Sequence, residues 1–238
     1  MIARNVVAAG VAGLLVGGVT IALATGAFGA GGNPDRARIE AVVRDYVLAH
    51  PEIIPEAMER LQQRETAKVV AANRAAYETP FAGAWAGAEN GDVVLVEFFD
   101  YACGYCRQSN ADVDRLLAED KRLKVVWREL PVLGSDSVIA AQTSLAAAEQ
   151  GKFRSFHQKM FEAGRPSLSA LDAARTASGI GKPPPTAAHE REIQTNYELA
   201  RAIGASGTPT FVVGDKVLQG AVGYAALKAA IAEARASL

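Results

Sequence analysis

DVVLVEFF, residues 92–99, runs through DYA into CGYC, residues 103–106, and on into RQSNADVDRLLAED, residues 107–120. The first eight residues are a near-continuous apolar run of strand length, as expected of a strand covered on both faces. From about Cys103 to Asp120 the period changes to that of a helix, with Val113, Leu116 and Leu117 as its apolar face. LKVVWREL, residues 123–130, then reads as a second strand ended by Pro131. Strand, helix, strand is the βαβ unit of a parallel sheet with a right-handed crossover.

Downstream, about 70 residues of helical pattern, anchored by Val138, Ile139, Leu145, Phe153, Phe156, Met160, Phe161, Leu168 and Leu171, read as a helical insertion. Lys182-Pro183-Pro184-Pro185 interrupts it before a last helix from about Thr186 to Ile203. Thr210–Val213, the turn pair Gly214-Asp215, and Lys216–Gln219 form a hairpin, and a terminal helix follows from Tyr224 to Ala236. Upstream, Asn33-Pro34 reads as the N-cap and first position of a helix carrying Ile39, Val42, Val43, Tyr46 and Val47 at helical spacing. His50-Pro51 should end or kink it. A second helical stretch from Glu52 to about Tyr77 has Ile54, Met58 and Leu61 on one face and little apolar material beyond them. So thin a stripe outside the following domain suits self-association of copies of the chain, with a tethering stalk or a helix docked on its own domain as alternatives.

No charged residue lies between Arg4 and Asp35, and Val6 to Ala30 is rich in Val, Leu, Ala and Gly. This is a hydrophobic export segment, with small residues near Ala24 and Ala30 offering cleavage positions. A cleaved leader is the first reading, and at about 25 residues an anchor across a bilayer core of roughly 30 Å is the second. The expected division is therefore leader or anchor over residues 1–32, a helical oligomerisation or stalk region over 33–78, and the main domain over 79–238 with its insertion at about 135–205.

The 238 residues are 50 % hydrophobic and 21 % charged, which excludes disorder. With 25 Lys and Arg against 26 Asp and Glu, there is no positive excess for a nucleic-acid partner. Only two cysteines occur, both in one C-x-x-C, so they are not a disulfide scaffold. Unpaired N–H groups and the positive end of a helix dipole stabilise a thiolate at a helix start, which makes Cys103 the expected nucleophile. Cys106, one turn in, is placed to resolve a mixed disulfide by attacking the Cys103 sulfur. A structural zinc site would need four ligands, and His50, His157 and His189 are scattered without ligand spacing; they read as surface or helix-packing residues. Arg107 after Cys106 excludes a c-type haem attachment. Neither metal nor cofactor is expected beyond the redox-active Cys103–Cys106 pair.

EFFDYACGYC, residues 97–106, with GTPTF at 207–211, resembles the DsbA branch of the thioredoxin fold. The amino-terminal helices, Asp100-Tyr101 and Pro131-Val132-Leu133-Gly134 are similar to those of the Com1 and ScsC-like group, ScsC being suppressor of copper sensitivity protein C. The resemblance implies an α/β thioredoxin fold with an inserted helical subdomain and a periplasmic thiol–disulfide oxidoreductase. Pro209 matches the family's cis-proline and Thr208 the residue before it, whose backbone pairs with an extended substrate; the alternative is an ordinary trans proline. Gly104 and Tyr105 would line the same substrate surface. Glu97 matches a buried glutamate that moves protons to and from the resolving cysteine, unless it faces an edge and solvent. Tyr105 departs from the histidine of the family's strongest oxidants, which points to a less oxidising pair.

The expected activity is a disulfide isomerase or reductase acting on exported proteins with cysteines, as a homo-oligomer, trimer or dimer, through residues 33–77. A monomeric dithiol oxidase is the first alternative, and a protein holding Cu(I) on its two thiolates is the second. The membrane redox partner would be of the DsbD/ScsB type for an isomerase and of the DsbB type for an oxidase.

Overall fold

A computed structural model of the chain describes residues 34–182 and 184–238. The expected leader or anchor, and Asn33 of the expected N-cap, lie outside the described residues. Two compact units divide the chain at Glu59 and Arg60. In the first, helix α1 (Pro34–Ala49) ends before the His50-Pro51 break and α2 (Ile53–Ala72) begins. Ile39, Val42, Val43 and Tyr46 are all more than half exposed, at the i, i+3, i+4, i+7 spacing of one helix face.

The second unit holds α3 (Arg74–Glu78), β1 (Trp85–Gly87), β2 (Val93–Phe99), α4 (Gly104–Glu119) and β3 (Leu123–Glu129), then α5 (Ser135–Glu149), α6 (Phe153–Glu162), α7 (Leu168–Ser178) and α8 (Ala187–Ala202). It closes with β4 (Thr210–Val213), β5 (Lys216–Gln219) and α9 (Tyr224–Ala236). The sheet order is β1-β3-β2-β4-β5. β2 and β3 run parallel with Glu97 opposite Trp127, and the other three pairings are antiparallel. This is the thioredoxin arrangement, with the four helices α5–α8 inserted between β3 and β4.

Period-two alternation assigns the side chains of the central strands to two cores. Leu95, Phe99, Val125, Trp127 and Phe211 face the dithiol helix α4, the insertion and α9, whereas Val96, Phe98, Val126 and Val212 face the opposite way. That second core is completed by Val70 and Tyr77, so the sheet's packing starts before residue 79 and the expected stalk is docked at its carboxyl end. The continuous second helix is broken at Asn73. β1, where the sequence predicts no element, is an edge strand of three residues, too short to show a period.

Arg128 ties these parts together. It is 4 % exposed, and its guanidinium donates to the Tyr77, Thr79 and Ala76 carbonyls, where α3 leaves acceptors unpaired, and to Glu192 and Asn196 of α8. Arg128→Met keeps the aliphatic stem but strands all five acceptors. It is expected to lower unfolding stability by about 3 kcal/mol in urea titrations.

Candidate active site

The dithiol sits where β2 hands the chain to α4. Cys103 is the N-cap residue, with extended φ −80° and ψ 117°, and its Sγ accepts the Cys106 N–H at 3.4 Å, which satisfies one orphan donor of the first turn. The same sulfur donates to the Thr208 carbonyl at 3.2 Å across the sheet, where Thr208-Pro209 is a cis peptide leading into β4. Pro209 gives its own carbonyl to the Gly220 N–H at 2.8 Å. Both cysteines are free thiols; Cys103 retains 6 % exposure and Cys106 none. Gly104 and Tyr105 between them are exposed, Tyr105 by 67 %, and a Cβ at Gly104 would meet open space. The structure thus brings Cys103, Cys106, Thr208 and Pro209 together and leaves the two middle residues of the motif at the surface above them.

Glu97 faces inward. It lies on the same sheet face as Leu95 and Phe99, fully buried, and its Oε2 accepts the Trp127 Nε1–H at 3.0 Å. Oε1 has no hydrogen-bond partner. Burial raises the Glu97 pKa to about 8, against the opposing pull of the Trp127 bond and the Arg154 charge. Burial, and next the Glu97 charge, push the Cys106 thiol well up, while the Asp100 backbone amide acts the other way. Glu97 and Cys106 therefore share one pocket that favours at most one negative charge.

Three buried groups near the dithiol had no role in the sequence reading. Glu129, at the end of β3, is 2 % exposed, has an unpartnered Oε1, and is held well above the usual carboxyl range by burial. The signal available was the one that exposed Glu97, a carboxylate inside an apolar strand. Asp100 is 1 % exposed and accepts two backbone N–H bonds. His157 takes the second of its two readings, surface or helix packing. It is 1 % exposed among the rings of Phe99, Phe161 and Trp127 at 4.9, 5.0 and 5.3 Å, and burial holds its pKa well below the usual range, so it is a neutral packing group. Its Nε2 meets Asn110 Oδ1 at 3.3 Å. His189 is also buried, on Glu149, whereas His50 is exposed.

Two thiols at the first turn of a helix, beside a cis-proline where the adjacent strands β2 and β4 of a five-stranded mixed sheet meet, define the chain as a dithiol protein of the thioredoxin fold. Within that class, the chain belongs to the family of the DSBA-like thioredoxin domain, whose model matches residues 94–232. Residues 35–68 match a second family, the N-terminal domain of copper resistance protein ScsC.

A linker-deletion mutant of ScsC from Proteus mirabilis has a similar structure, with TM-score 0.72 and 28 % identity, covering 89 % of this chain and 100 % of that one. So has a thioredoxin-like oxidoreductase from Silicibacter pomeroyi, with TM-score 0.65, 34 % identity and coverage of 70 % and 99 %. A periplasmic thioredoxin-like protein from Salmonella enterica serovar Typhimurium gives TM-score 0.65, 28 % identity and coverage of 68 % and 95 %. Among curated proteins, a sodium/proton antiporter of Salinispora tropica is 32 % identical over 160 residues, 63 % of this chain and 24 % of the antiporter. The chain spans about a quarter of the length of the curated relatives it matches. No helix among the described residues is long and apolar enough to cross a membrane.

Proposed function

We propose that the chain is a periplasmic thiol–disulfide oxidoreductase that exchanges disulfides with exported proteins through Cys103 and Cys106, working as an oligomeric isomerase or reductase. The observation that carries the exchange chemistry is the Cys103 sulfur itself, the outer of two buried thiols, capping α4 and lying 3.2 Å from the Thr208 carbonyl. Cys103 thiolate attacks one sulfur of a client disulfide; the S–S bond breaks, and the departing client sulfur leaves as a thiolate that takes a proton. Two exits follow from the mixed disulfide. Another client thiolate attacks the client sulfur and returns Cys103, a rearrangement with no net electron transfer. Alternatively Cys106 gives its proton to the Glu97 carboxylate and attacks Cys103, forming the internal disulfide while the client is reduced by two electrons. The pair needs no further cofactor, because those two electrons reside in the dithiol. Thr208, Pro209, Gly104 and Tyr105 supply the surface on which the client segment lies.

The oligomeric part of the reading is supported by the uncovered face of α1. A stripe of Ile39, Val42, Val43 and Tyr46 buries little within its own unit and would be covered in a bundle with copies of itself. Val42→Asp with Tyr46→Asp is expected to turn an oligomer into a monomer in sedimentation runs without loss of helical circular dichroism. A wild-type monomer at micromolar concentration overturns this part. The direction of exchange is tested by alkylating cells and resolving the thiol state. A mainly reduced Cys103–Cys106 pair supports the isomerase or reductase, kept reduced by a membrane donor of the DsbD/ScsB type, and a mainly oxidised pair supports a DsbA-like oxidase recharged by a DsbB-type acceptor.

A further inference from the structure

Four residues beyond β3, Pro131 to Gly134, cross the sheet edge beside the strand end from which the dithiol rises. The Leu130 N–H on the Phe99 carbonyl at 2.8 Å keeps them there. Three bonds fix the loop itself. Tyr197 Oη donates to the Pro131 carbonyl at 2.7 Å, the Val132 N–H to the Leu130 carbonyl at 2.9 Å, and the Leu133 N–H to Asp100 Oδ2 at 2.9 Å. The other oxygen of the same carboxylate, Oδ1, accepts the Ala102 N–H at 2.7 Å, and the Asp100 carbonyl accepts the Cys103 N–H at 3.0 Å. One buried carboxylate therefore stands between the loop and the residue preceding the nucleophile, with one hydrogen bond on each side.

What the fixed loop presents is apolar. Val132 and Leu133 are 49 % and 46 % exposed on a backbone with no freedom to fold them inward. A single exposed valine or leucine is ordinary. Two on an immobilised, uncharged loop, anchored to the residue before a reactive sulfur, form a preorganised surface that loses little entropy on contact. The occupant that reaches this spot is the segment joined to Cys103 in the mixed disulfide, because Cys103 follows Ala102 directly and its own N–H is held by the Asp100 carbonyl.

We propose that Asp100 is a positioning residue that sets the 131–134 loop against the dithiol, and that Val132 and Leu133 determine specificity by receiving an apolar side chain adjoining the client cysteine. The inference rests on the exchange reading above. An Asn at 100 has only one acceptor oxygen, so one of the two N–H groups would face an amide NH2 and either the loop or the approach to Cys103 would be released.

The test is steady-state exchange with oxidised glutathione and with two labelled peptide disulfides whose cysteine is flanked by Leu or by Ser. The wild-type chain is expected to favour the Leu-flanked peptide by about tenfold in kcat/KM, the scale of a small apolar contact. Val132→Ser with Leu133→Ser should bring that ratio close to one through KM, and Asp100→Asn should lower it in the same way. Leu168→Ser, an exposed leucine on α7, should leave it unchanged. A Val132, Leu133 double variant that keeps the wild-type ratio overturns the specificity role, and a folded Asp100→Asn that keeps it overturns the positioning role. Both serine positions are exposed, so the first arm stands whatever Asp100→Asn does to folding. Wild-type exchange with no preference defeats this inference alone, whereas no exchange even with glutathione defeats the exchange reading and this inference with it.

Discussion

Cys106→Ala is expected to stop the reaction after its first step, so that the chain accumulates in cells as mixed disulfides, seen as high-mass bands on non-reducing gels that collapse with reductant. Cys103→Ala should give none and should lose exchange turnover by at least about 10³-fold, as removal of a nucleophile does. The asymmetry follows from where the two sulfurs lie. Cys106 has no exposure and lies inside the first turn of α4, so a client disulfide cannot reach it in line. Cys103 is at the N-cap and keeps 6 % exposure, and the Cys106 N–H points at its sulfur. With Ala at 106 the internal exit is lost, and a client with no second thiol in reach leaves Cys103 only by attack of an external thiol, which is slow because it must be bimolecular. Equal trapping by the two variants would show that the sulfurs are interchangeable and would overturn the assignment.

The unit that carries the dithiol was legible because its signals are local. A seven-residue apolar strand, a switch to helical period and a second apolar strand need no tertiary information, and the structure puts β2, α4 and β3 within a residue or two of that reading. What escaped depends on distant chain. Val70 and Tyr77, seven residues apart on either side of the break at Asn73, look sparse in a polar stretch, yet they suffice when the opposite surface is the apolar face of a sheet. The orientation of Glu97 was undecidable from a run apolar on both faces, since alternation cannot be phased when neither face is polar; its register with Trp127 decides it. Glu129 stood two residues before a proline and read as a strand end, and its burial is imposed by the insertion, Ser144 included. Asp100 gave no hint of its role because its second partner, Leu133, is 33 residues away.

Glu97 leads to the other large effect, on stability against pH. Its ordinary value is 4.5, and in the folded chain burial lifts it to about 8. Below pH 4.5 both folded and unfolded chains hold the proton and the group contributes nothing. As pH rises the unfolded chain ionises first while the folded one keeps its proton, so folding is progressively disfavoured until about pH 8 and constant beyond it. At 1.36 kcal/mol per unit, a window of about 3.5 units makes the loss roughly 4 to 5 kcal/mol. Glu97→Gln cannot ionise, and its amide oxygen can still accept the Trp127 N–H. Urea titrations of the reduced chain between pH 4.5 and 8 should therefore show a stability slope shallower by one proton in the variant, with Glu129 and, in the opposite sense below pH 6.5, His157 supplying the slope that remains. The slope is the proper readout, because the unpaired amide N–H introduced by Gln costs the same at every pH. The same proton governs resolution. An ionised Glu97 opposes a second charge on Cys106, so the thiol becomes a nucleophile as its proton moves to the carboxylate, and without that acceptor the mixed disulfide should persist longer in Glu97→Gln. Parallel stability profiles for wild type and variant would mean that Glu97 binds its proton no more tightly in the folded chain than in the unfolded one; so weak a base would be a poor acceptor for the Cys106 proton, and its place in the transfer would fall.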